Sequence, residues 1–429
     1  MKPSLKSTRL VVISAWGSRA VAACSMIYSL RVLSDSLSAP EYATFVIIMG
    51  LAGWFALMDL GIGYAAQNAI TGRLAEGSTA ASEVLSAYLI LAVTTSVMAL
   101  ALYVFREPIA ALLFGKILGD QGPLAGDTFF RSALLLTASA SFAVSTKVLY
   151  AMHRGYVANA VAAFAPVVGL ILLALGVTSA QDKVAYAIVA LYGPNALVCC
   201  LLAVQQIAKA ARQRPDLPKA TFFDIAKAAR GFLVFNVLGA AVLQIDYLVM
   251  SQRVSSVEII QYYTIGKIFS FVAFINQAVL FAAWPTLTSL YAEKKLDEIR
   301  RQLNRLILMS AGVTMAATVS LLVSQDLIGR FLAPGTNLDI RSTVILGFSA
   351  VALIRCVTDP FAIFLQSIGR LTPLIAFAAV QAIVSAGLQW QLAEAFSIEG
   401  VLLALFLSFV LTSAWGLPLA ARKILAPHR

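Results

Sequence analysis

The sequence predicts an all-α, polytopic membrane protein with about twelve transmembrane helices. Hydrophobic residues make up 60% of the 429 residues and charged residues only 12%, and the mean hydropathy is +0.85. A soluble domain carries about 25% charged residues, because its surface faces water. A protein embedded in a bilayer has an apolar outer surface, so a shortage of charge is expected there.

Twelve apolar segments are long enough to cross the membrane. About 20 apolar residues cover about 30 Å of hydrocarbon as a helix, and lipid cannot satisfy the open edges of strands. We number these segments span 1 to span 12, and in order they cover 10–32, 42–66, 84–104, 130–152, 156–178, 185–207, 231–251, 259–284, 305–325, 344–368, 371–391 and 397–420. The longest predicted connections, 105–129 and 208–230, leave no room for a soluble catalytic domain.

The positive charge predicts how the chain is oriented. With a cytoplasmic N-terminus, the lysines and arginines outside the spans favour the cytoplasmic side by three to one, as the positive-inside rule requires. Both termini are therefore expected in the cytoplasm. The net charge of +11 is explained by topology, and no nucleic-acid partner is expected.

Two short internal repeats predict a duplicated architecture. The segment 41–45 (EYATF) opens span 2 as 261–265 (QYYTI) opens span 8, and 149–154 (LYAMHR) ends span 4 as 365–370 (LQSIGR) ends span 10. Duplicated halves are common among transporters. The predicted organisation is a six-helix lobe at 1–208, a basic cytoplasmic linker at 209–230 and a second six-helix lobe at 231–429.

Six ionisable residues lie well inside the spans, where each costs about 2.5–3.5 kcal/mol at the bilayer centre. Arg131 and Lys147, near the ends of span 4, are interpreted as snorkelling to the interface. By depth, two of the six fall in the inner half of the membrane, two in the outer half, and two are four residues apart on one helix face. These pairs are Arg19 with Asp59, Asp246 with Lys267, and Arg355 with Asp359.

Two interpretations of these charges remain open. They are either structural ion pairs between helices, or the lining of a water-filled cavity in which bases engage an anionic substrate and acids couple to a cation. Asp359 precedes Pro360, which frees the carbonyl of Cys356; this suits Na⁺ or H⁺, or is an ordinary proline kink. The polar side chains of spans 7 and 8 either line a sugar-accepting cavity or form interhelical hydrogen bonds; they are Asn236, Gln244, Asn276 and Gln277.

Several motifs resemble one transporter family. They are 37–45 (LSAPEYATF), 58–63 (MDLGIG), 262–268 (YYTIGKI) and 366–370 (QSIGR). In this order they resemble parts of the first two, the eighth and the tenth helices of Wzx-type O-antigen and exopolysaccharide flippases, members of the multidrug/oligosaccharidyl-lipid/polysaccharide exporter superfamily. Ala43 departs from the pattern, since the family often has glycine there.

The resemblance implies two six-helix lobes around a cavity lined by spans 1, 2, 7 and 8, in the bacterial cytoplasmic (inner) membrane. It implies transport of undecaprenyl-diphosphate-linked oligosaccharide from the inner to the outer leaflet by alternating access, coupled to Na⁺ or H⁺. Membrane lipid and polysaccharide assembly proteins are the expected partners, and no cofactor or metal is expected. The predicted substrate-cavity residues are Arg19, Asp59, Asp246, Lys267, Asn276 and Gln277, with Arg355 and Asp359 as an ion-coupling or structural pair.

Three alternatives share parts of this pattern. A multidrug-type cation antiporter has the same fold but usually an acidic cavity, and the related lipid II flippase usually has fourteen helices. A membrane-embedded polysaccharide polymerase needs a large outer loop with catalytic residues. The sequence contains no glycine-rich phosphate loop and no nucleophile–base constellation, so an enzyme is not expected.

Overall fold

The computed structural model describes residues 5–118, 122–152, 154–213, 215–216, 219–332 and 340–425. All regular structure within these ranges is helical. A short 3₁₀ helix, Leu57–Asp59, lies between α3 and α4. The α-helices are α1 (Leu5–Ser36), α2 (Ala39–Gly50), α3 (Ala52–Ala56), α4 (Ile62–Ala75), α5 (Ala81–Val104), α6 (Arg106–Leu118), α7 (Gly122–Phe142), α8 (Val144–Ala151), α9 (Gly155–Gly176), α10 (Lys183–Arg212), α11 (Lys219–Leu243), α12 (Ile245–Arg253), α13 (Ser256–Ala292), α14 (Leu296–Leu332), α15 (Ser342–Ser367), α16 (Thr372–Leu411) and α17 (Ser413–Ile424).

Seven helical runs in the described part of the chain are long and apolar enough to cross a membrane. They contain spans 3, 4, 5, 6, 9 and 10 and, in one continuous run, spans 11 and 12. The other four spans lie on α1, on α2 to α4, on α11 with α12, and on α13. These are the helices that carry Arg19, Asp59, Asp246 and Lys267.

The chain divides into two compact units, Met1–Val237 and Leu238–Arg429, and the boundary falls inside α11. The segment 208–230, predicted to be a loop, is mostly helical where it is described. It contains the end of α10 and the start of α11, because its alanines, lysines and arginines are strong helix formers that extend both helices. The assignment of 1–208, 209–230 and 231–429 as lobe, linker and lobe stays a prediction.

The segment 105–129, also predicted as a connection, contains helix α6 and the start of α7. Ala110, Leu113 and Phe114 are buried on one face of α6, which packs against α7. Their spacing of three and four residues is that of an amphipathic helix. A search for long apolar runs does not find α6, because this helix is too short to cross a bilayer.

Span 2 is broken in the middle of the first unit. Helix α2 passes through the short α3 into the 3₁₀ helix, and the chain then turns at Leu60 (φ 51°) and Gly61 (φ 75°) before α4 begins. Glycine adopts positive φ without a steric penalty, so Gly61 makes the turn feasible. The break places Asp59 where two helical pieces meet.

The remaining spans of the first unit hold this break in place. Helix α4 packs against α5 and α8, and α1 packs against α9. Ile62, Ala66 and Val148 belong to one buried apolar cluster that also includes residues of α5 and α10. The break is therefore fixed by packing on both sides.

The second unit contains three further breaks within its described residues. Span 7 is interrupted at Gln244, between α11 and α12, and the helical run of span 12 is interrupted at Thr412, between α16 and α17. Within α16 the backbone departs from helical geometry at Ser397 (φ 53°), which separates span 11 from span 12. Helix α15 packs against α13, α14, α16 and α17 and so forms the centre of this unit.

Candidate substrate site

The carboxylate of Asp59 closes the break in span 2. Its Oδ1 accepts a hydrogen bond from the backbone N–H of Gly61 at 2.8 Å. A Cβ atom on Gly63 would lie 2.9 Å from Asp59 Oδ2 and 3.4 Å from the Cγ of Lys147. The side chains of Asp59 and Lys147 therefore both lie close to the α4 backbone at Gly63, which has no side chain of its own.

Lys147 of α8 is the basic partner that the structure gives Asp59. The two interact electrostatically, and the Lys147 ammonium lies 3.5 Å from the ring centre of Tyr64. Lys147 therefore has an aromatic and an acidic neighbour inside the protein, and its snorkelling to the interface stays a prediction. Its position near the end of span 4 brings it against α4, because α4 and α8 pack together.

Arg19 lies in α1, with an exposed side chain, in the same unit. It is within electrostatic reach of the Tyr150 hydroxyl of α8, and that hydroxyl donates a hydrogen bond to Oδ1 of Asn159 at 2.6 Å. Tyr150 follows Lys147 by three residues, so both side chains lie on one face of α8. The first unit thus brings two cations and two tyrosines to neighbouring positions.

Asp246 is buried in the second unit and is held by hydrogen-bond donors. The Tyr262 hydroxyl donates to its Oδ2 at 2.5 Å, and the backbone N–H of Tyr247 donates to its Oδ1 at 2.9 Å. The Tyr262 ring packs against Phe348 with centroids 4.7 Å apart. A buried carboxylate with two donors is stabilised by them.

Lys267 has an aromatic partner on its own helix. Its ammonium lies 4.9 Å from the ring centre of Tyr263, one turn earlier on α13. A cation over a tyrosine face is stabilised by the negative charge density of the ring. The depth argument that grouped Lys267 with Asp246 does not identify these contacts, because depth says nothing about which face of a helix a residue occupies.

Arg355, Asp359 and Gln277 form one cluster between α13 and α15. Arg355 Nη2 lies 3.2 Å from Asp359 Oδ2, so the two residues form an ion pair. Gln277 Nε2 donates to the same oxygen at 3.4 Å. The cluster is half-buried and joins two helices, which is compatible with either a structural or an ion-coupling role.

Asn276 binds neighbouring helices. Its Nδ2 lies 3.2 Å from the Thr314 hydroxyl of α14 and 3.8 Å from the Cys356 sulfur of α15. This is the interhelical hydrogen bonding that polar side chains commonly provide in membrane proteins. A direct role of Asn276 in a substrate cavity stays a prediction.

Sequence reasoning missed the tyrosines that accompany the charges. Tyr64, Tyr150, Tyr262 and Tyr263 each contact or lie near an ionisable residue inside a span. Their signal in the sequence is the recurrence of tyrosine within a few residues of the charges, as in 262–267. Among the described residues, no group of three or more histidine, cysteine or acidic side chains is placed to hold a metal ion.

Comparison with known proteins identifies the family. The chain is 30% identical over 417 residues to a protein of Yersinia pseudotuberculosis described as an O-antigen export protein, covering 96% of this chain and 95% of that protein. It is also 30% identical over 414 residues to an O-antigen transporter of Salmonella typhi, covering 95% and 94%. The chain belongs to the O-antigen transporter family.

Solved structures confirm the fold of this O-antigen transporter family member. An inward-facing multidrug resistance MATE transporter of the MOP superfamily matches with a TM-score of 0.76 at 10% identity, covering 94% of this chain and 95% of that one. The lipid II flippase MurJ in an inward closed conformation matches with a TM-score of 0.69 at 15% identity, covering 97% and 89%. No family model matches the chain.

These comparisons confirm three predictions from the sequence. The resemblance to O-antigen flippases is confirmed by the full-length relatives, and the all-α, two-lobed polytopic fold is confirmed by the structural neighbours. The third is that the chain is a membrane transporter and not an enzyme.

Proposed function

We propose that this protein is a flippase that moves undecaprenyl-diphosphate-linked oligosaccharide, an O-antigen or exopolysaccharide repeat unit, from the inner to the outer leaflet of the bacterial cytoplasmic membrane. The full-length relatives named for O-antigen transport support the substrate class. The observation that carries the proposal is the presence of cations inside the spans. Arg19, Lys147 and Lys267 supply the positive charge that a diphosphate requires.

One acidic and one aromatic side chain accompany two of these cations and reduce the cost of keeping them in the membrane. Asp59 lies beside Lys147, and Tyr263 lies under Lys267. Such partners offset part of the penalty of about 2.5–3.5 kcal/mol per charge. A cation held in this way remains available to a ligand of higher charge, and alternating access then carries the bound headgroup across.

The coupling ion in this proposal, Na⁺ or H⁺, binds at Asp359. Its Oδ2 accepts from Arg355 and Gln277, and Pro360 follows it in α15. Binding of a cation would compete with the Arg355 guanidinium for the same oxygen. In vesicles, a gradient of the coupling ion in one of the two directions is expected to accelerate flipping by the parent protein. The same gradient should not change the flipping rate of the Asp359→Asn variant.

A multidrug-type cation antiporter is the weaker candidate. The likeness to MATE transporters at 10% identity concerns the fold, whereas relatives at 30% identity are named for O-antigen transport. A cationic drug would also meet Lys147 and Arg19 rather than an acidic surface in the first unit. Like charges at such a site would weaken its binding.

Reconstitution tests the proposal. Purified protein in liposomes should move a fluorescent short-chain polyprenyl-diphosphate oligosaccharide between leaflets, which is followed by quenching from one side. Arg19→Gln and Lys267→Gln are each expected to slow this about tenfold, the effect of losing one charged contact of about 1.4 kcal/mol. Arg131→Gln, which removes an exposed cation at the other end of span 4, is the matched control and should leave the rate unchanged.

Two outcomes would contradict the proposal. One is a parent protein that moves the probe no faster than protein-free liposomes. The other is transport of a cationic dye by the same vesicles without movement of the lipid-linked oligosaccharide, which would favour the antiporter.

A further inference from the structure

Two tyrosines of the first unit keep exposed ring surface beside a cation. Tyr64 on α4 is 42% exposed and Tyr150 on α8 is 39% exposed. The Lys147 ammonium lies 3.5 Å from the centre of the Tyr64 ring, and Arg19 lies within electrostatic reach of Tyr150. We call these four residues, Arg19, Tyr64, Lys147 and Tyr150, the tyrosine–cation patch.

The patch is held by four packed helices and a hydrogen bond. Helix α8 carries both Lys147 and Tyr150 and packs against α4 and α9, while α1 packs against α9. The Tyr150 hydroxyl donates to Asn159 of α9 at 2.6 Å, which fixes the direction of its ring. Rigid helices hold a ligand site more precisely than loops do.

Charge in the patch favours an anion. It contains two cations, and the neighbouring Asp59 balances one of them, so one positive charge is in excess. Lysine is a mobile point charge that suits a phosphate, and arginine offers a planar set of donors. Cations of these two kinds suit the oxygens of a diphosphate.

The aromatic rings favour a sugar beside that anion. The face of a tyrosine ring carries negative charge density, and the C–H bonds on one face of a pyranose carry partial positive charge. A sugar packed on a tyrosine also buries apolar surface on both partners. In a diphosphate-linked oligosaccharide, the first sugar is attached directly to the phosphate, so cations and rings must be adjacent to engage both groups.

We propose that the tyrosine–cation patch binds a sugar diphosphate, with Arg19 and Lys147 on the phosphates and the rings of Tyr64 and Tyr150 against the first sugar. This inference rests on the proposed function and specifies which part of the substrate the first unit recognises. By sequence position, Arg19 lies in the first half of span 1 and the other three residues near the ends of spans 2 and 4, toward the side that the charge distribution predicts to be cytoplasmic. Substrate made in the cytoplasmic leaflet reaches this side first.

Two probes separate the sugar contact from the phosphate contact. One is a short-chain polyprenyl diphosphate that carries a single N-acetylated hexose, and the other is the same polyprenyl diphosphate without sugar. Binding of each to the purified full chain in nanodiscs is measured by titration. The parent protein is expected to bind the sugar-bearing probe more tightly.

Substitutions should affect the two probes differently. Tyr64→Leu should weaken the sugar-bearing probe about 3- to 10-fold and the sugar-free probe by less, since the sugar loses its ring contact and the phosphates keep Arg19 and Lys147. Lys147→Gln should weaken both probes about tenfold. Tyr64→Phe, which keeps the ring, should retain the parent protein's difference in affinity between the sugar-bearing and the sugar-free probe.

The chain offers a matched control at the opposite end of the same unit. The Arg106 guanidinium lies 4.5 Å from the centre of the exposed Tyr103 ring, which is the same kind of pair outside the patch. Tyr103→Leu should change neither affinity. Tyr150→Leu repeats the test at the second ring if Tyr64→Leu lowers the unfolding temperature.

The possible failures are distinguishable. A parent protein that binds neither probe would overturn the proposed function together with this inference. A parent protein that binds both probes equally, or a loss in Tyr64→Leu and Tyr150→Leu that is the same for both probes, would overturn the sugar contact and leave the flippase proposal standing.

Discussion

Gly63 sets the distance between the acid and the base of the first unit. Its missing side chain lets Asp59 Oδ2 and the stem of Lys147 approach the same stretch of α4 backbone. Any larger residue would have to displace the carboxylate or the lysine. The approach of Asp59 and Lys147 to each other therefore depends on a residue that carries no charge.

Gly63→Ala is expected to destabilise the protein by about 1–3 kcal/mol, as overpacking does, and to slow flipping about tenfold by moving Lys147. Gly72→Ala, on the same helix, is the control because nothing lies within 4 Å of its added Cβ. Alanine there should leave stability unchanged or raise it by up to about 1 kcal/mol. Thermal unfolding and the vesicle assay measure both effects, and equal behaviour of the two variants would contradict this account.

Single charges could be predicted from the sequence, but their partners could not. Asp59 and Lys147 are visible as polar interruptions of apolar runs, and their depth follows from counting residues. Whether they meet depends on which faces of α4 and α8 pack together, and on the break at Leu60 and Gly61 that rotates α4 relative to α2. That rotation is a tertiary property with no periodic signal in the sequence.

At the scale of elements, Arg341 links three helices of the second unit through ion pairs. At the start of α15, its guanidinium binds Glu258 of α13 at 2.8 Å and Glu399 of α16 at 3.0 Å. Desolvation alone would raise the pKa of Glu258, but hydrogen bonds from Ser255 and Arg341 and the charge of Arg341 outweigh it and lower that pKa from 4.5. The ion pairs of Arg341 lie next to the turn at Ser397 that joins spans 11 and 12, and they stabilise it.

Arg341→Gln is expected to lower the stability of the protein by about 1 kcal/mol, the value of a partly exposed ion network, or about 1 °C in unfolding temperature. Because the folded-state pKa of Glu258 is depressed, its contribution is present above pH 4.5 and is lost as the pH falls below that value. The parent should therefore lose this increment as the pH falls below 4.5, and the variant, which keeps only the hydrogen bonds from the serines, should lose less. Melting curves across this range decide it, with Lys295→Gln, which removes an exposed pair with Glu293, as the control.

The sequence predicted the helices that consist of one long apolar run. It did not predict the elements whose position depends on packing against neighbouring helices. Spans 3, 5 and 6 correspond to α5, α9 and α10, since a long apolar run has no alternative in lipid. Helix α6 was not predicted because it is short. The interruptions at Gln244 and Thr412 have no proline or glycine at the interrupted residue that would have marked them in the sequence.

For the whole molecule, the distribution of lysine and arginine predicts the orientation. The turn after α4 contains the exposed Ser78, and the turn after α9 contains the exposed Ser179. By the positive-inside rule the first should face the cytoplasm and the second the opposite side.

Cysteine labelling in intact cells checks this orientation. The four native cysteines, Cys24, Cys199, Cys200 and Cys356, are first replaced by alanine. Ser179→Cys should then react with an impermeant maleimide, and Ser78→Cys should react only after the cells are opened. The reverse pattern would invert the proposed direction of transport.

The broken span 2 also has a consequence for how the chain is made. Asp59 leaves the ribosome almost ninety residues before Lys147, so span 2 reaches the translocon with an unpaired acid and a helix that ends at Leu57–Asp59. An isolated aspartate opposes insertion by about 2.5–3.5 kcal/mol. Span 2 should therefore remain poorly inserted in truncated chains that stop before span 4 and become stably membrane-embedded once α8 arrives, which makes biogenesis of this lobe cooperative over four spans.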